Sequence, residues 1–98
     1  MTLEVRLRPE VELDLADAAF WYEGQQKGLG RQFLTEALAV FSAIAETPQL
    51  HPVVHRNTRR ALLRRFPFGV YYQVETAAIV VVAVMHGSRN PDRWNERE

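Results

Sequence analysis

The chain has 98 residues, no cysteine, 47% hydrophobic and 24% charged residues, and a formal net charge of zero. That size and composition fit a single globular domain over residues 1–98 with one core, and they exclude a disordered chain, a disulfide scaffold and any thiolate metal site. No leader-like apolar stretch opens the sequence, and the longest apolar run, Ala77 to Met85, is too short for a membrane-spanning helix, so a cytoplasmic protein without membrane contact is expected.

Leu3, Val5 and Leu7 alternate with Glu4, Arg6 and Arg8, which predicts a half-buried strand. Pro9 suits the first turn of a helix, and Glu10, Glu12 and Asp14 sit where acids favour the positive end of the helix dipole. Val11, Leu15, Ala18 and Tyr22 repeat at helical spacing, so the helix is expected to run from 9 to about 26. Within it, Phe20, Trp21 and Tyr22 are consecutive and fan over about 200°, more than one packing surface covers. Tyr22 belongs to the apolar stripe, Phe20 lies nearly opposite, and Trp21 lies among acids.

Gly24, Gly28 and Gly30 mark a helix end and a short turn. The apolar face from Phe33 to Ala45 predicts a second helix, closed by Thr47-Pro48, and the pair reads as an antiparallel hairpin. Residues 48–58 hold two prolines without a clear period and are expected to form a loop. Three short strands follow, in RRALLRRF, VYYQVE and residues 78–85, spaced so closely that they must form antiparallel hairpins. The last is apolar throughout, which predicts a central strand covered on both faces, followed by a polar tail over 86–98. The result is an α+β fold of order β-α-α-β-β-β, with the helical hairpin on one face of a small, mainly antiparallel sheet.

Charge is not evenly placed. Residues 1–49 carry four Lys/Arg against eight Asp/Glu, and residues 50–98 carry eight against four, all eight being arginine. Arginine's planar fork suits carboxylate and phosphate partners. No metal site is expected: His51 and His55 have helical ligand spacing, but Pro52 lies between them. The glycines of GQQKGLG match no nucleotide-binding pattern, although a helix N-terminus near Gly30 could hold an anion. For metal-free RNA cleavage, Arg64, Arg65 and Arg89 offer cations and His86 the one plausible base, but no acid for the leaving oxygen is evident. Direct DNA binding is not indicated, because the basic residues lie off the acidic helices.

The element order, together with RPEVELDLADAAFWYE, GRQFLTEALAVFSAIAETPQLHP, RRFPFGVYYQVE and VMHGSRNPDRW, resembles the RelE/ParE toxin superfamily of bacterial type II toxin–antitoxin modules over about residues 3–94. The RelE-like branch implies a ribosome-dependent mRNA endoribonuclease. Its arginine before the Val-Tyr strand corresponds to Gly69 here, its arginine after the last strand to Arg89, and its C-terminal tyrosine has no counterpart. The His-Gly-x-Arg ending is closer to ParE-like plasmid-stabilisation toxins, which inhibit DNA gyrase by protein contact and are not enzymes. A third outcome is a non-toxic, antitoxin-binding module of the same fold. The ParE-like resemblance implies Arg89, Arg93 and Trp94 as a projecting target-binding surface. It also implies a cognate ParD/RelB-like antitoxin, with Phe20, Trp21 and a cluster of Arg56, Arg59, Arg60, Arg64 and Arg65 as its contact residues. No cofactor is implied, and DNA is met only through antitoxin or gyrase.

Overall fold

The computed structural model describes residues 3–88 and 91–97. Strand β1 (Glu4–Leu7) leads into helix α1 (Pro9–Gln25), and a tight turn joins that to helix α2 (Leu29–Glu46). Strands β2 (Val53–His55), β3 (Thr58–Leu62), β4 (Phe68–Val74) and β5 (Ala78–His86) follow, then a short helix α3 (Asp92–Asn95). The sheet order is β1-β5-β4-β3-β2, with β1 parallel to β5 and the other pairs antiparallel. The expected α+β arrangement, a helical hairpin against a mainly antiparallel sheet, is the one found.

Helix α1 begins without a side-chain cap: Arg8 is extended and Pro9 occupies the first turn, where no N–H is needed. The hairpin turn depends on two glycines. Gly28 has φ +88°, the left-handed region that glycine enters without strain, and a Cβ on Gly30 would sit 2.5 Å from the Ala19 carbonyl oxygen. The carboxylate of Glu23 accepts hydrogen bonds from the N–H groups of Gly28 (2.9 Å) and Gly30 (3.0 Å). The N-terminus of α2 thus does bind an anion, as its position suggested, but the anion is the chain's own glutamate.

Between helices and sheet, Val11, Phe33, Ile44, Val70, Tyr72, Ile79 and Val81 are fully buried. Tyr22 joins this core by stacking on Phe33 at 5.5 Å and meeting Phe66 edge-on at 4.8 Å. Opposite Tyr71–Tyr72 of β4, the register of β5 shifts: Tyr71 pairs with Ala83 and Tyr72 with Val81, leaving Val82 as the extra residue of a bulge. The bulge changes the phase of the strand. Val84 returns to the helix side, while Val82, Ala83 and Met85 join Tyr71 on the other face.

Two segments differ from the sequence reading. The stretch read as loop contains β2, a three-residue edge strand whose pairing with β3 slips between Val53 and His55. An edge strand needs only one side paired, so Pro52 is compatible with it, and its carbonyl accepts from Arg60 N–H at 3.1 Å. The polar tail is also not featureless: it forms α3 and lays Trp94 over the face of the sheet remote from the hairpin.

Candidate functional site: the cleft between the first helix and the C-terminal segment

β1 pairs with Ala78 to Val81 of β5, so among the described residues the outer side of β5 has no strand beside it from Val82 onward. Unpaired backbone polar groups at a half-buried edge need other partners. Asp14 of α1 supplies one, its Oδ2 accepting from Val84 N–H at 3.0 Å. Arg97 supplies the other, donating to the Val82 carbonyl at 3.3 Å. The two side chains also meet as a bidentate pair, with Nη1 to Oδ2 at 2.6 Å and Nη2 to Oδ1 at 3.1 Å. They are 12% and 20% exposed respectively, and the Arg8 guanidinium donates to the main-chain carbonyl of Arg97. The bond to Asp14 pushes the Arg97 pKa further up, against the opposing effect of burial.

This pair borders a cleft of about 750 Å³ between α1 and the end of β5. Trp21, Tyr22, Phe68 and Met85 give it apolar walls, Asp14 and Asp17 an acidic side, and Arg93 and Arg97 a cationic side. His86 and Ser88 line its far end; His86 Nδ1 accepts from Ser88 N–H at 3.1 Å and lies 2.7 Å from Ser88 Oγ. That nitrogen therefore serves the turn leaving β5. Such a cleft can hold a side chain or short segment that is aromatic at one end and carboxylated at the other.

A smaller groove of about 400 Å³ runs between α2 and β3, bordered by Glu36, Val40, Ala43, His51, Leu62 and Arg64. Glu36 organises its rim, its Oε2 accepting from the N–H groups of Arg64 (2.6 Å) and Arg65 (3.0 Å).

The residues expected to meet partners fall into distinct places. Phe20 is 83% exposed and Trp21 59% exposed, with Leu13 also outward at 66%. Trp21 packs edge-on against Tyr22 and borders the main cleft. The five arginines expected to cluster do not. Arg56 is exposed in the β2–β3 turn with φ +48°. Arg59 and Arg60 are adjacent on β3 and point to opposite faces: Arg59 donates to the carbonyls of Gln49 and His51, and Arg60 lays its stem over Gly69. The Arg60 Nε is buried without a hydrogen bond. Arg64 and Arg65 sit at the far end of the strand, where Arg65 donates to Gln32 of α2 at 2.6 Å.

Of the expected target surface, Arg93 is exposed and lines the cleft, and Arg89 lies outside the described residues. Trp94 corrects the sequence reading. It does not project; it is 5% exposed and stacks on Tyr71 at 4.6 Å with the ring planes 18° apart. An indole on a tail that folds back gains more from covering an aromatic floor than from standing in water. Two of the three cations named for RNA cleavage do not meet the base: Arg64 and Arg65 are held against α2, while His86 lines the cleft beside α1. Asp14 and Arg97 were missed. Asp14 had a signal, since it shares a helical stripe with buried Val11 and Ala18, where a carboxylate needs a partner.

Known proteins resemble the chain over nearly its whole length. The family profile described as ParE toxin of type II toxin-antitoxin system, parDE, matches residues 5–91. Toxin ParE2 of Mycobacterium tuberculosis, from strains CDC 1551 and H37Rv alike, is 30% identical over 93 residues, which span 94% of this chain and 89% of that one. A solved structure titled as the chromosomal ParDE TA system from P. aeruginosa superposes with a TM-score of 0.66 at 14% identity, covering 87% of this chain and 96% of that one.

Proposed function

This chain belongs to the ParE toxin family of type II toxin–antitoxin systems, and we propose that it arrests growth by binding DNA gyrase and is silenced by a cognate antitoxin. It acts in the cytoplasm, in the manner of a plasmid-stabilisation toxin. The main observation supporting contact over cutting is what the described residues assemble. They build an aromatic-walled, arginine-edged cleft, and they tie His86, the one candidate base, into the turn leaving β5 through its Nδ1. Arginine and tryptophan are the residue types that most often carry binding energy at interfaces, and Arg93 and Trp21 border this cleft.

The antitoxin reading draws on surfaces that extend beyond the cleft and share Trp21 with it. The outward Leu13, Phe20 and Trp21 of α1 and the groove between α2 and β3 are apolar areas that the chain does not cover itself. The groove is edged by Arg64, and among the described residues the outer side of β3 has no strand partner past Arg60, so helix docking and strand addition are both available.

A nuclease reading has one observation behind it: Arg60 places its stem over Gly69, at the position where the RelE-like resemblance expects an arginine. The two readings separate in cells. Induction without antitoxin should stop growth, and mapping message 5′ ends should show no new translation-dependent cuts. Cuts at ribosome-bound codons would replace the gyrase reading with the nuclease one, and unimpeded growth would leave only antitoxin binding.

A further inference from the structure

The C-terminal segment is tied down at both ends. Where it leaves β5, Gly87 N–H donates to the Pro67 carbonyl at 2.7 Å and Ser88 N–H to His86 Nδ1 at 3.1 Å. Further along, Trp94 is stacked on Tyr71 and Arg97 is clipped to Asp14 and Val82. A well-packed indole alone would hold the segment to the sheet; the ion pair does something more, since it draws the last turn sideways onto α1 and sets one wall of the cleft. Arg93 lies between these fixed points, exposed and facing the cleft.

We propose that the Asp14–Arg97 pair is a positioning device: it fixes the C-terminal segment so that Arg93 stands at the cleft before the target arrives. The inference rests on the cleft being the target-binding surface. Its physical content is preorganisation. A segment ordered during folding loses no further freedom on binding, and a long arginine aimed in advance binds more tightly than one that must be gathered from solution. Asp14 and Arg97 need not touch the target for this. They are positioning residues, acting through Arg93.

The test uses Asp14→Asn, which keeps an acceptor for Val84 N–H but loses the charge, and Arg97→Lys, which keeps the charge but loses the fork. Each is compared with wild type and with Arg93→Ala for the intracellular toxin level that halves growth rate, in variants whose circular dichroism is native at the assay temperature. Each should raise that level about tenfold, leave antitoxin affinity unchanged, and add nothing when combined with Arg93→Ala, because both then act through the same contact. Native-like variants of unchanged potency, or effects that multiply with Arg93→Ala, would overturn the positioning role. If Arg93→Ala alone has no effect, the target-surface reading falls and the positioning role with it. If Arg93→Ala weakens toxicity while Asp14→Asn and Arg97→Lys do not, only the positioning role falls.

Discussion

The indole of Trp94 lies nearly parallel to the phenol ring of Tyr71, with centroids 4.6 Å apart, and closes a small second core on the sheet face that the helical hairpin does not reach. His55 meets the same indole edge-on at 5.8 Å, so the tail also braces the edge strand β2. Trp94 is therefore part of the fold. Trp94→Ala should cost about 3 kcal/mol, the usual range for an aromatic truncated in a core. In a domain of this size that is a fall in Tm of roughly 12–24 °C. Trp94→Phe should recover most of it. Thermal unfolding by circular dichroism measures both, and an unchanged Tm for Trp94→Ala would mean that the tail does not pack as described.

The two glycines flanking the hairpin turn make a contrast. Gly24 lies inside α1 with nothing within 4 Å of where a Cβ would be, so Gly24→Ala should stabilise by about 0.5–1 kcal/mol through helix propensity alone. Gly30 faces the Ala19 carbonyl at 2.5 Å from an added Cβ, against backbone that cannot rotate aside. Gly30→Ala should destabilise by about 2 kcal/mol as the helices are forced apart. Urea titration of the two variants should give midpoints on opposite sides of wild type.

Tyr72 predicts an alkaline limit to stability. Its hydroxyl donates to the Pro48 carbonyl at 2.6 Å, and burial raises its pKa above the ordinary 10.0, partly offset by Arg59. The unfolded chain then loses the proton at lower pH than the folded one. Stability is complete below about pH 10 and declines as pH rises through the raised value. Tyr22 shifts in the same direction for the same reason. Tyr72→Phe should flatten part of this alkaline decline and cost about 1 kcal/mol at neutral pH. Urea midpoints at pH 7, 9.5 and 10.5 test it.

Phe20, at 83% exposed, contributes almost nothing to the free fold. Phe20→Ser should change stability by less than about 0.5 kcal/mol, yet lower antitoxin affinity by at least about tenfold. Calorimetric titration with the antitoxin reads the second effect. Unchanged affinity would move the antitoxin surface to the groove between α2 and β3.

Much of the architecture was legible because the periods are strong where burial is one-sided. Val11, Leu15, Ala18 and Tyr22 mark α1, and the alternation of Val70, Tyr72 and Val74 marks β4. β2 was not legible, since a three-residue edge strand beside prolines has no period to display. The site was less legible for a different reason. Asp14 and Arg97 are 83 residues apart, and only the early end of β1 and the bulge at Val82 bring them together. Trp94 was visible as an unusual tail residue, but whether a tail folds inward or outward depends on the floor it meets. Tyr71 provides that floor only because adjacent tyrosines on β4 point to opposite faces.

The central claim, that this fold arrests growth by occupying gyrase, is tested most directly by mixing the purified chain with gyrase and supercoiled plasmid and trapping protein-linked DNA with detergent. Linear plasmid should rise with toxin dose, disappear when equimolar antitoxin is added first, and be reduced for Arg93→Ala. No linear plasmid at saturating toxin, from protein that still arrests growth in cells, would contradict it.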